Sequence, residues 1–459
     1  MLGLRHFMSA PSTSNGLQLA VSYRQILKIM LPISFAIMIP QLNFITNNVF
    51  LGHLSKQALA VAGVTGVYYL IFAAIGYGLN NGLQALISRR AGENRPEEIG
   101  KLFNQGVYVS LFIAAIGILL TYLFTPILFK HFISDQERMN QAISFLRIRI
   151  WGLPFLYIYQ MRNALLVGTN QSRYLVAGTA AEAVSNVLLD YVLIFGKWGF
   201  PTLGFNGAAY ASIISEFIGM AVVFAVIHFK GIGKKFQLFD HFNWDGYNLK
   251  LILSMSAPLI FQNAISIMSW EYFFLLIDKH GEVALAVSNT MRNIFGFFGA
   301  FTWAFAATSN TMVSNIIGQG KKEEVWKLIG KIVQLSTGFA LIVAVILNIF
   351  PYLFLSIYGQ SENFIQEAIP VLRVVSVAMI LMSVSTILVN AVTGTGNSKV
   401  TLSIEAFTIF FYCIYVYLVL DKFYLPIKFG WMSEWVYWIS MFIPSYLYLR
   451  SGRWKKKVI

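Results

Sequence analysis

The sequence predicts an all-α polytopic membrane protein with twelve transmembrane helices in two parallel six-helix repeats. Composition, twelve long apolar segments and an internal repeat lead to this prediction. Of the 459 residues, 57% are hydrophobic and 12% are charged, whereas soluble domains carry roughly 45–50% apolar and about 25% charged residues. A soluble chain of this composition would expose large apolar patches, which a bilayer accommodates instead.

Apolar segments long enough to cross a bilayer, which requires roughly 20 residues, occur twelve times. They are residues 29–51, 58–87, 103–129, 143–168, 175–196, 206–229, 251–277, 283–317, 326–356, 366–393, 400–420 and 431–449. The one sizeable polar connection lies mid-chain and divides the sequence. The predicted parts are an N-terminal segment (1–28), a six-helix bundle (29–229), a linker (230–250), a second bundle (251–449) and a basic tail (450–459).

The two predicted bundles share one ungapped register with an offset of 226 residues. Ala58-Leu59-Ala60-Val61 recurs as Ala284-Leu285-Ala286-Val287, and Pro32 corresponds to Pro258. General apolar similarity does not explain the matched loop residues. These are Gly92, Glu97, Glu98, Lys101 and Leu102, which correspond to Gly318, Glu323, Glu324, Lys327 and Leu328. We therefore predict a gene duplication.

Six spans per repeat make both copies enter the membrane from the same side. Such parallel repeats are related by an axis along the membrane normal, and two facing bundles leave a cleft between them. Rocking one bundle against the other gives alternating access. The architecture is therefore that of a transporter.

The distribution of Lys and Arg predicts the orientation. About 23 of these residues fall on the side of the N-terminus and about 7 on the other, so both termini are expected in the cytoplasm. We expect a bacterial inner (plasma) membrane protein. The net charge of +14 is explained by this topology, and no basic run with interleaved aromatic residues on a polar domain indicates nucleic-acid binding.

Several chemistries are disfavoured by the sequence. The single cysteine, Cys413, allows neither an intrachain disulfide nor a CxxC metal site. No Gly-x4-Gly-Lys-Ser/Thr phosphate-binding loop occurs, because none of the lysines that follow a glycine precedes Ser or Thr. Transport is therefore expected to require an ion gradient or another subunit. A membrane-embedded enzyme remains an alternative, but it would need convergent catalytic groups, and the histidines all lie near segment ends. No resident cofactor is expected beyond a coupling ion.

Carboxylates within spans are candidate functional residues, because an ionised side chain at bilayer mid-depth costs roughly 2.5–3.5 kcal/mol. Glu182, Asn186 and Asp190 are spaced four residues apart and share one face of helix 5. Helix 7 carries Glu271. The last candidate acids, Glu216 and Glu405, are open to two interpretations, as structural ion-pair partners or as functional groups.

A carboxylate beside an amide can bind Na⁺ through oxygen ligands or take up a proton. Asp190 and Asn186 therefore form a candidate Na⁺ or H⁺ site. Either event changes the local charge by one unit, which can bias a two-state packing of helices. Arg147 and Arg373, at the start of spans 4 and 10, are interpreted as structural or snorkelling residues.

Five sequence motifs, in their order and together with the duplication, resemble the multidrug and toxic compound extrusion (MATE) transporters. The resemblance covers nearly the whole chain. The motifs are Leu31-Pro32-Ile33, Val49-Phe50-Leu51-Gly52-His53-Leu54, Arg89-Arg90-Ala91-Gly92-Glu93, Asn186-Val187-Leu188-Leu189-Asp190 and Gly204-Phe205-Asn206-Gly207-Ala208-Ala209.

The resemblance implies a V-shaped pair of bundles, working as a monomer, that exports small organic cations in exchange for H⁺ or Na⁺. It also implies a cation site in the N-terminal bundle. The matching positions are Asn47, Asn163, Asn186, Asp190 and Ser212. Asn47 stands where many members have Asp, which removes one charge.

Other MATE members use a helix 7 carboxylate, and Glu271 lies close to that position, but helix 10 has no acidic residue beyond Glu367 at its start to pair with it. We expect Asp190 and Glu271 to couple ion and substrate movement. The repeat does not preserve them, since Asp190 corresponds to Val416 and Glu271 to Ile45. An alternative within the wider superfamily is a flippase for a lipid-linked oligosaccharide, which a strongly cationic cleft would favour.

Overall fold

The computed structural model describes residues 16–132, 135–238, 240, 243–356 and 362–457, and these residues form helices, turns and no strand. Twelve long helices follow one another. They are α1 (Tyr23–Leu54), α2 (Lys56–Gly92), α3 (Pro96–Phe132), α4 (Gln136–Arg149 and Leu153–Gly168, joined by the 3-10 turn Ile150–Gly152), α5 (Leu175–Phe195), α6 (Phe205–Phe229), α7 (Gly246–Asp278), α8 (Glu282–Gly318), α9 (Val325–Ile349), α10 (Glu362–Gly394), α11 (Ser398–Val416) and α12 (Ser433–Arg450).

Each predicted span coincides with one of these helices, but several helix ends differ from the prediction. Helix α4 begins earlier, because Asp135 caps it by accepting hydrogen bonds from the backbone N–H groups of Glu137 and Arg138. Helix α9 ends at Ile349, and Pro351 opens a short separate helix, Pro351–Ser356, at the position where proline is tolerated. Helix α11 passes into the π-helical turn Tyr417–Lys422, and the short helix Ile427–Trp431 precedes α12.

Eight of the twelve helices are long and apolar enough to cross a membrane by length and hydropathy alone within the described residues. The other four are α1, α4, α8 and α12. Helix α8 lies in the protein interior, where its C-terminal half buries hydroxyl and amide groups such as Thr308, Ser309 and Asn310. A helix that faces mostly protein needs less hydrophobicity than one that faces lipid, which accounts for its lower apparent hydropathy.

The packing of the helices repeats between the two halves. Helix α1 packs on α5 as α7 packs on α11, and α2 packs on α4 as α8 packs on α10. Between the bundles, α2 packs on α7 as α8 packs on α1, and α2 and α8 cross each other. The duplication therefore includes both the internal packing and the interface of the bundles.

The crossing of α2 and α8 is hydrogen-bonded symmetrically. Gln84 and Asn310 are 226 residues apart, and each donates to a backbone carbonyl of the opposite helix. The Gln84 amide donates to Ala307 O at 3.0 Å, and the Asn310 amide donates to Asn81 O at 3.1 Å. Asn81 and Ala307 are themselves 226 residues apart, so the two hydrogen bonds are related by the pseudo-twofold axis.

Residues 16–22 lie across the same end of both bundles. Leu17 and Leu19 are buried. Asn315 on α8 holds the segment by accepting from Leu19 N at 3.0 Å and donating to Leu17 O at 3.0 Å. Gln18 donates to the carbonyl of Gly92, at the end of α2 (3.1 Å). Residues 1–15, with His6, and His241 of the linker lie outside the described residues.

The opposite halves of α2 and α8 are loosely packed. At Gly63 and Gly66 on α2, and at Gly296 on α8, an added Cβ would have nothing within 4 Å. Val67 and Ile71 on α2 are about half exposed. The hydrogen bonds between the bundles cluster at the end where α2 and α8 terminate, so any cleft opens at the other end.

Candidate functional site

The predicted residues Asp190, Asn186 and Asn47 lie together in the N-terminal bundle. Asp190 is fully buried and Asn186 is 4% exposed, one turn before it on α5. Helix α1 packs against α5 and brings Asn47 to them. The structure thus assembles three of the five positions that the resemblance singled out.

Asn47 bridges the two α5 side chains through its amide nitrogen. With the amide oriented by its hydrogen-bond network, this nitrogen donates to Asp190 Oδ2, to Asn186 Oδ1 at 3.1 Å and to the backbone carbonyl of Asn43 at 3.2 Å. Asp190 Oδ1 is buried and has no protein hydrogen-bond partner. The site therefore offers one unused carboxylate oxygen to a proton or a small cation.

Three other predicted residues are not joined to Asp190 by the described contacts. Asn163 is half-buried, and its Oδ1 has no hydrogen-bond partner. The backbone carbonyl of Ser212 accepts a hydrogen bond from Ser215 Oγ at 2.9 Å, within helix α6. Glu271 lies in the C-terminal bundle, half-buried, and the described residues include no hydrogen bond or ion pair with its side chain. Its coupling role stays a prediction.

An ion pair between Arg149 and Glu216 adjoins the site. The guanidinium donates from Nη1 to Oε2 at 3.0 Å and from Nη2 to Oε1 at 2.5 Å, and both side chains are largely buried. The Arg149 guanidinium also lies 4.0 Å above the ring of Tyr69. Gly152 makes room for this pair, since a Cβ there would overlap both charged groups. Glu216 is therefore a structural ion-pair partner.

Glu182 lies beside a second buried cation, Arg162. The guanidinium of Arg162 is fully buried, donates from Nη1 to the carbonyl of Gly219 at 3.1 Å and stacks 4.2 Å above the ring of Tyr159. Gly219 also faces Glu182, whose Cβ would be 2.8 Å from a Cβ added at Gly219. The absence of a side chain at Gly219 lets α5 and α6 approach closely and places the two charges near one another.

The charges of this cluster do not balance. When all are ionised, the carboxylates of Asp190, Glu182 and Glu216 outnumber the guanidinium groups of Arg149 and Arg162 by one. Unbalanced charge in a low-dielectric region is costly. One bound monovalent cation, whether a proton, Na⁺ or an organic cation, neutralises the cluster.

Glu405 is arranged differently from Glu216. It is 1% exposed and accepts hydrogen bonds from Gln262 Nε2 at 3.1 Å and from the hydroxyl of Tyr437. Among the described residues no Lys or Arg forms an ion pair with it. Neutral donors surround Glu405 among the described residues, and whether its role is structural or functional stays a prediction.

Comparison with known proteins identifies the family. The sequence model of the MatE family matches residues 32–192 and again residues 258–418. The chain belongs to the MatE family. The two matches begin 226 residues apart, which confirms the duplication and its register.

The relatives of this MatE chain are transporters. A protein named probable multidrug resistance protein NorM, from Thermotoga maritima, is 25% identical over 446 residues, which is 95% of this chain and 94% of that protein. A solved outward-facing multidrug resistance MATE family transporter of the MOP superfamily is 17% identical, with a TM-score of 0.87 over 98% of this chain and 100% of the other.

A second solved structure, a MOP superfamily transporter from Pyrococcus furiosus, is 16% identical with a TM-score of 0.85, covering 98% of this chain and 100% of that one. At such identities the likeness shows the fold alone. The two solved structures confirm the predicted twelve-helix fold. The family match and the named relatives give the class: this MatE protein is a multi-pass membrane transporter and not an enzyme.

Proposed function

We propose that this MatE protein exports small organic cations in antiport with H⁺ or Na⁺ by alternating access between its two bundles. The observation that carries the proposal is the buried Asp190 carboxylate, with one oxygen unused, inside a cluster that holds one excess negative charge. The names of relatives as multidrug resistance proteins support the choice of substrate class.

Exchange follows from the single excess charge. When the coupling ion binds, the cluster is neutral and no longer attracts a cationic substrate. When the substrate binds in its place, the ion is repelled. Antiport requires that the ion and the substrate occupy the site at different times. Each ligand then shifts the transporter toward the state that it binds more tightly.

Helix α1 is suited to transmit the event at Asp190 to the other bundle. Asn47 on α1 donates to the ionised carboxylate. Protonation or Na⁺ binding weakens that charge-assisted hydrogen bond. Because α1 packs on α5 on one side and on α8 on the other, a change in its seating on α5 alters the interface of the bundles.

The same charges argue against the lipid-linked oligosaccharide flippase. A carrier of phosphorylated lipids needs a cationic pocket to hold the phosphate groups. Here the buried cluster of the N-terminal bundle is anionic by one charge. This polarity favours a cationic substrate.

Orientation and assembly complete the proposal. We place the end where residues 16–22 cross both bundles at the cytoplasmic face of a bacterial inner membrane, with both termini inside and the chain working as a monomer. The basic tail supports this placement, since Lys455 pairs with Glu323 beside the end of α8 at 2.8 Å and positive residues favour the cytoplasmic side.

The test is transport of tetraphenylphosphonium from proteoliposomes under an imposed pH gradient and, separately, an imposed Na⁺ gradient. One of the two gradients should drive efflux by the wild-type protein. The D190N variant should insert into the membrane normally but show no gradient-driven efflux. D278N is the matched control, since Asp278 is exposed at the end of α7. Wild-type efflux rates in D190N would overturn the assignment of Asp190.

A further inference from the structure

Several buried polar side chains lie between α11 and α12 in the C-terminal bundle. Glu405, Thr408 and Tyr412 on α11 are three and four residues apart and therefore share one face. All three are at most 1% exposed. We call these residues, together with Ser433, Glu434 and Tyr437 on α12, the α11–α12 polar row.

Glu405 forms the inner end of this row. Its two oxygens accept from Gln262 on α7 (3.1 Å) and from the Tyr437 hydroxyl, which itself lies 3.2 Å from Ser266 Oγ. The ring of Tyr437 packs edge-on against the ring of Tyr412, with centroids 5.6 Å apart. Three helices thus meet on one buried carboxylate.

No described cation balances that carboxylate. The titratable groups near it are Tyr437 and Glu434 on α12 and Tyr412 and Cys413 on α11, none of which is positive. Helix α7 contributes the neutral Gln262 and Ser266. Helix α10 contributes Ser385, which donates to the carbonyl of Trp438 at 2.8 Å. The described contacts of the Glu405 carboxylate are therefore all with neutral groups, and burying a carboxylate without a countercharge is costly.

The outer part of the row contains buried polar atoms with unused hydrogen-bonding capacity. Thr408 Oγ1, Tyr412 OH and Ser433 Oγ are buried and have no protein partner. Such atoms destabilise a fold when they stay unsatisfied, and most buried polar groups are bonded to protein or to ordered water. Glu434, 5% exposed, lies in the first turn of α12 next to Ser433.

We propose that Glu405 is a second proton-binding site of the transporter, and that water bridging the unpaired hydroxyl groups of Ser433, Tyr412 and Thr408 connects it to Glu434. The inference rests on the ion-coupled antiport proposed above and specifies H⁺ as the ligand of this site. A proton bound at Glu405 converts the carboxylate to a carboxylic acid, with no other bond made or broken.

Na⁺ fits this site poorly because of what surrounds it. Both neighbours of Glu405 donate hydrogen bonds to it, so they turn N–H and O–H groups toward the carboxylate. A Na⁺ site would need several oxygen atoms turned toward the ion instead. Hydroxyl groups in a row also serve as donors and acceptors at once, which is what proton transfer requires.

Glu405 is not the repeat counterpart of Asp190. The 226-residue offset places Thr179 at the position of Glu405 and Val416 at the position of Asp190. Along their helices, Glu405 lies seven residues, about 10 Å, beyond Ser398, whereas Asp190 lies fifteen residues, about 22 Å, beyond Leu175. The two carboxylates therefore bind protons at different depths, one in each bundle.

The first test counts protons. Proteoliposomes are loaded with a pH-sensitive dye, a tetraphenylphosphonium gradient is imposed, and the H⁺ to tetraphenylphosphonium ratio is measured. E405Q, which keeps the hydrogen-bonding shape of the protonated acid, should transport about one proton fewer per cation. E367Q is the matched control, since Glu367 is exposed on α10 of the same bundle. An unchanged ratio in folded E405Q would overturn the proposal.

The second test keeps the proposal falsifiable if E405Q does not transport. Infrared difference spectra of the purified protein between low and high pH should contain a carboxylic acid C=O band that E405Q lacks and E367Q retains. If E405Q retains every titrating band, the proposal is wrong whatever the transport result.

The two proposals fail in different ways. Coupled efflux in D190N contradicts the assignment of Asp190 but leaves the infrared band of Glu405 in place. If the infrared band is not assigned to Glu405, the dependence of efflux on Asp190 is unaffected. A transport ratio that responds to Na⁺ rather than H⁺ in the wild-type protein, with no titrating band at Glu405, rejects the second proton site alone.

Discussion

Arg89 and Asn315 occupy equivalent positions on α2 and α8, and each donates a hydrogen bond across the crossing of the two helices. Arg89 Nε donates to Ser314 O at 3.0 Å, and Asn315 Nδ2 donates to Ser88 O at 3.2 Å. The remaining contacts differ, because Arg89 also reaches the carbonyl of Gly394 on α10 (3.3 Å), whereas Asn315 holds residues 16–22.

Weakening this pair should favour opening at the end where it lies. In R89A and in N315A the crossing loses hydrogen bonds, so the population with separated helix ends should grow. Distances between spin labels at the exposed positions Glu97 and Lys321 measure this population, and a longer component should gain weight in both variants. Distance distributions identical to those of the unsubstituted labelled protein would contradict the role of the pair.

Close packing of glycines at the same crossing predicts a loss of stability on substitution. A Cβ at Gly92 would overlap Asn315 O, and a Cβ at Gly318 would overlap Arg89 O. G92A and G318A should therefore lower the melting temperature in detergent by several degrees. G330A is the matched control, since nothing lies within 4 Å of its Cβ and alanine is favoured over glycine in a helix by about 1 kcal/mol. Equal shifts in all three would contradict the packing argument.

The Arg149–Glu216 pair predicts an asymmetry between single and double substitutions. E216Q leaves the buried guanidinium of Arg149 without a countercharge, which should destabilise the protein by about 3–5 kcal/mol. R149M/E216L removes both charges and should recover much of that loss. As a comparison, D421N breaks the exposed pair with Lys279 and should destabilise the protein far less than E216Q does. Unfolding measured in detergent distinguishes these cases, and a double variant less stable than E216Q would refute the expectation.

Asn47 predicts a change of ion affinity rather than a loss of function. N47D adds a carboxylate beside Asp190 and raises the excess negative charge of the cluster from one to two. Half-maximal efflux should then require a lower concentration of the coupling ion. N47A, which removes the amide without adding charge, should not show this gain. A coupling-ion dependence of N47D equal to that of N47A would contradict the electrostatic role of this position.

The spans and the duplication could be predicted because they depend on local hydrophobicity and on register, both of which a single sequence contains. The pairing of Arg149 with Glu216 could not. It depends on the 3-10 turn Ile150–Gly152, which rotates the first half of α4 relative to the second. No residue spacing indicates which side chains this turn brings together.

The neighbourhood of Asp190 was accessible only in part. The spacing of Asn186 and Asp190 on one helix face follows from periodicity, but the approach of Asn47 from α1 depends on tertiary packing, and only the family resemblance suggested it. The surroundings of Glu405 could not be predicted, since its position in the sequence does not indicate whether a cation or neutral donors lie beside it. Its hydrogen-bond donors, Gln262 and Tyr437, lie on two other helices.

The crossing at Gly92 and Gly318 resembles an isologous interface, because α2 and α8 contact each other through equivalent positions. A surface of this kind is complementary to a copy of itself. Helix α2 of the N-terminal bundle therefore has most of the contact positions that two identical half-length chains would use to form a dimer. The interface that now joins two unequal bundles retains the geometry of a homodimer.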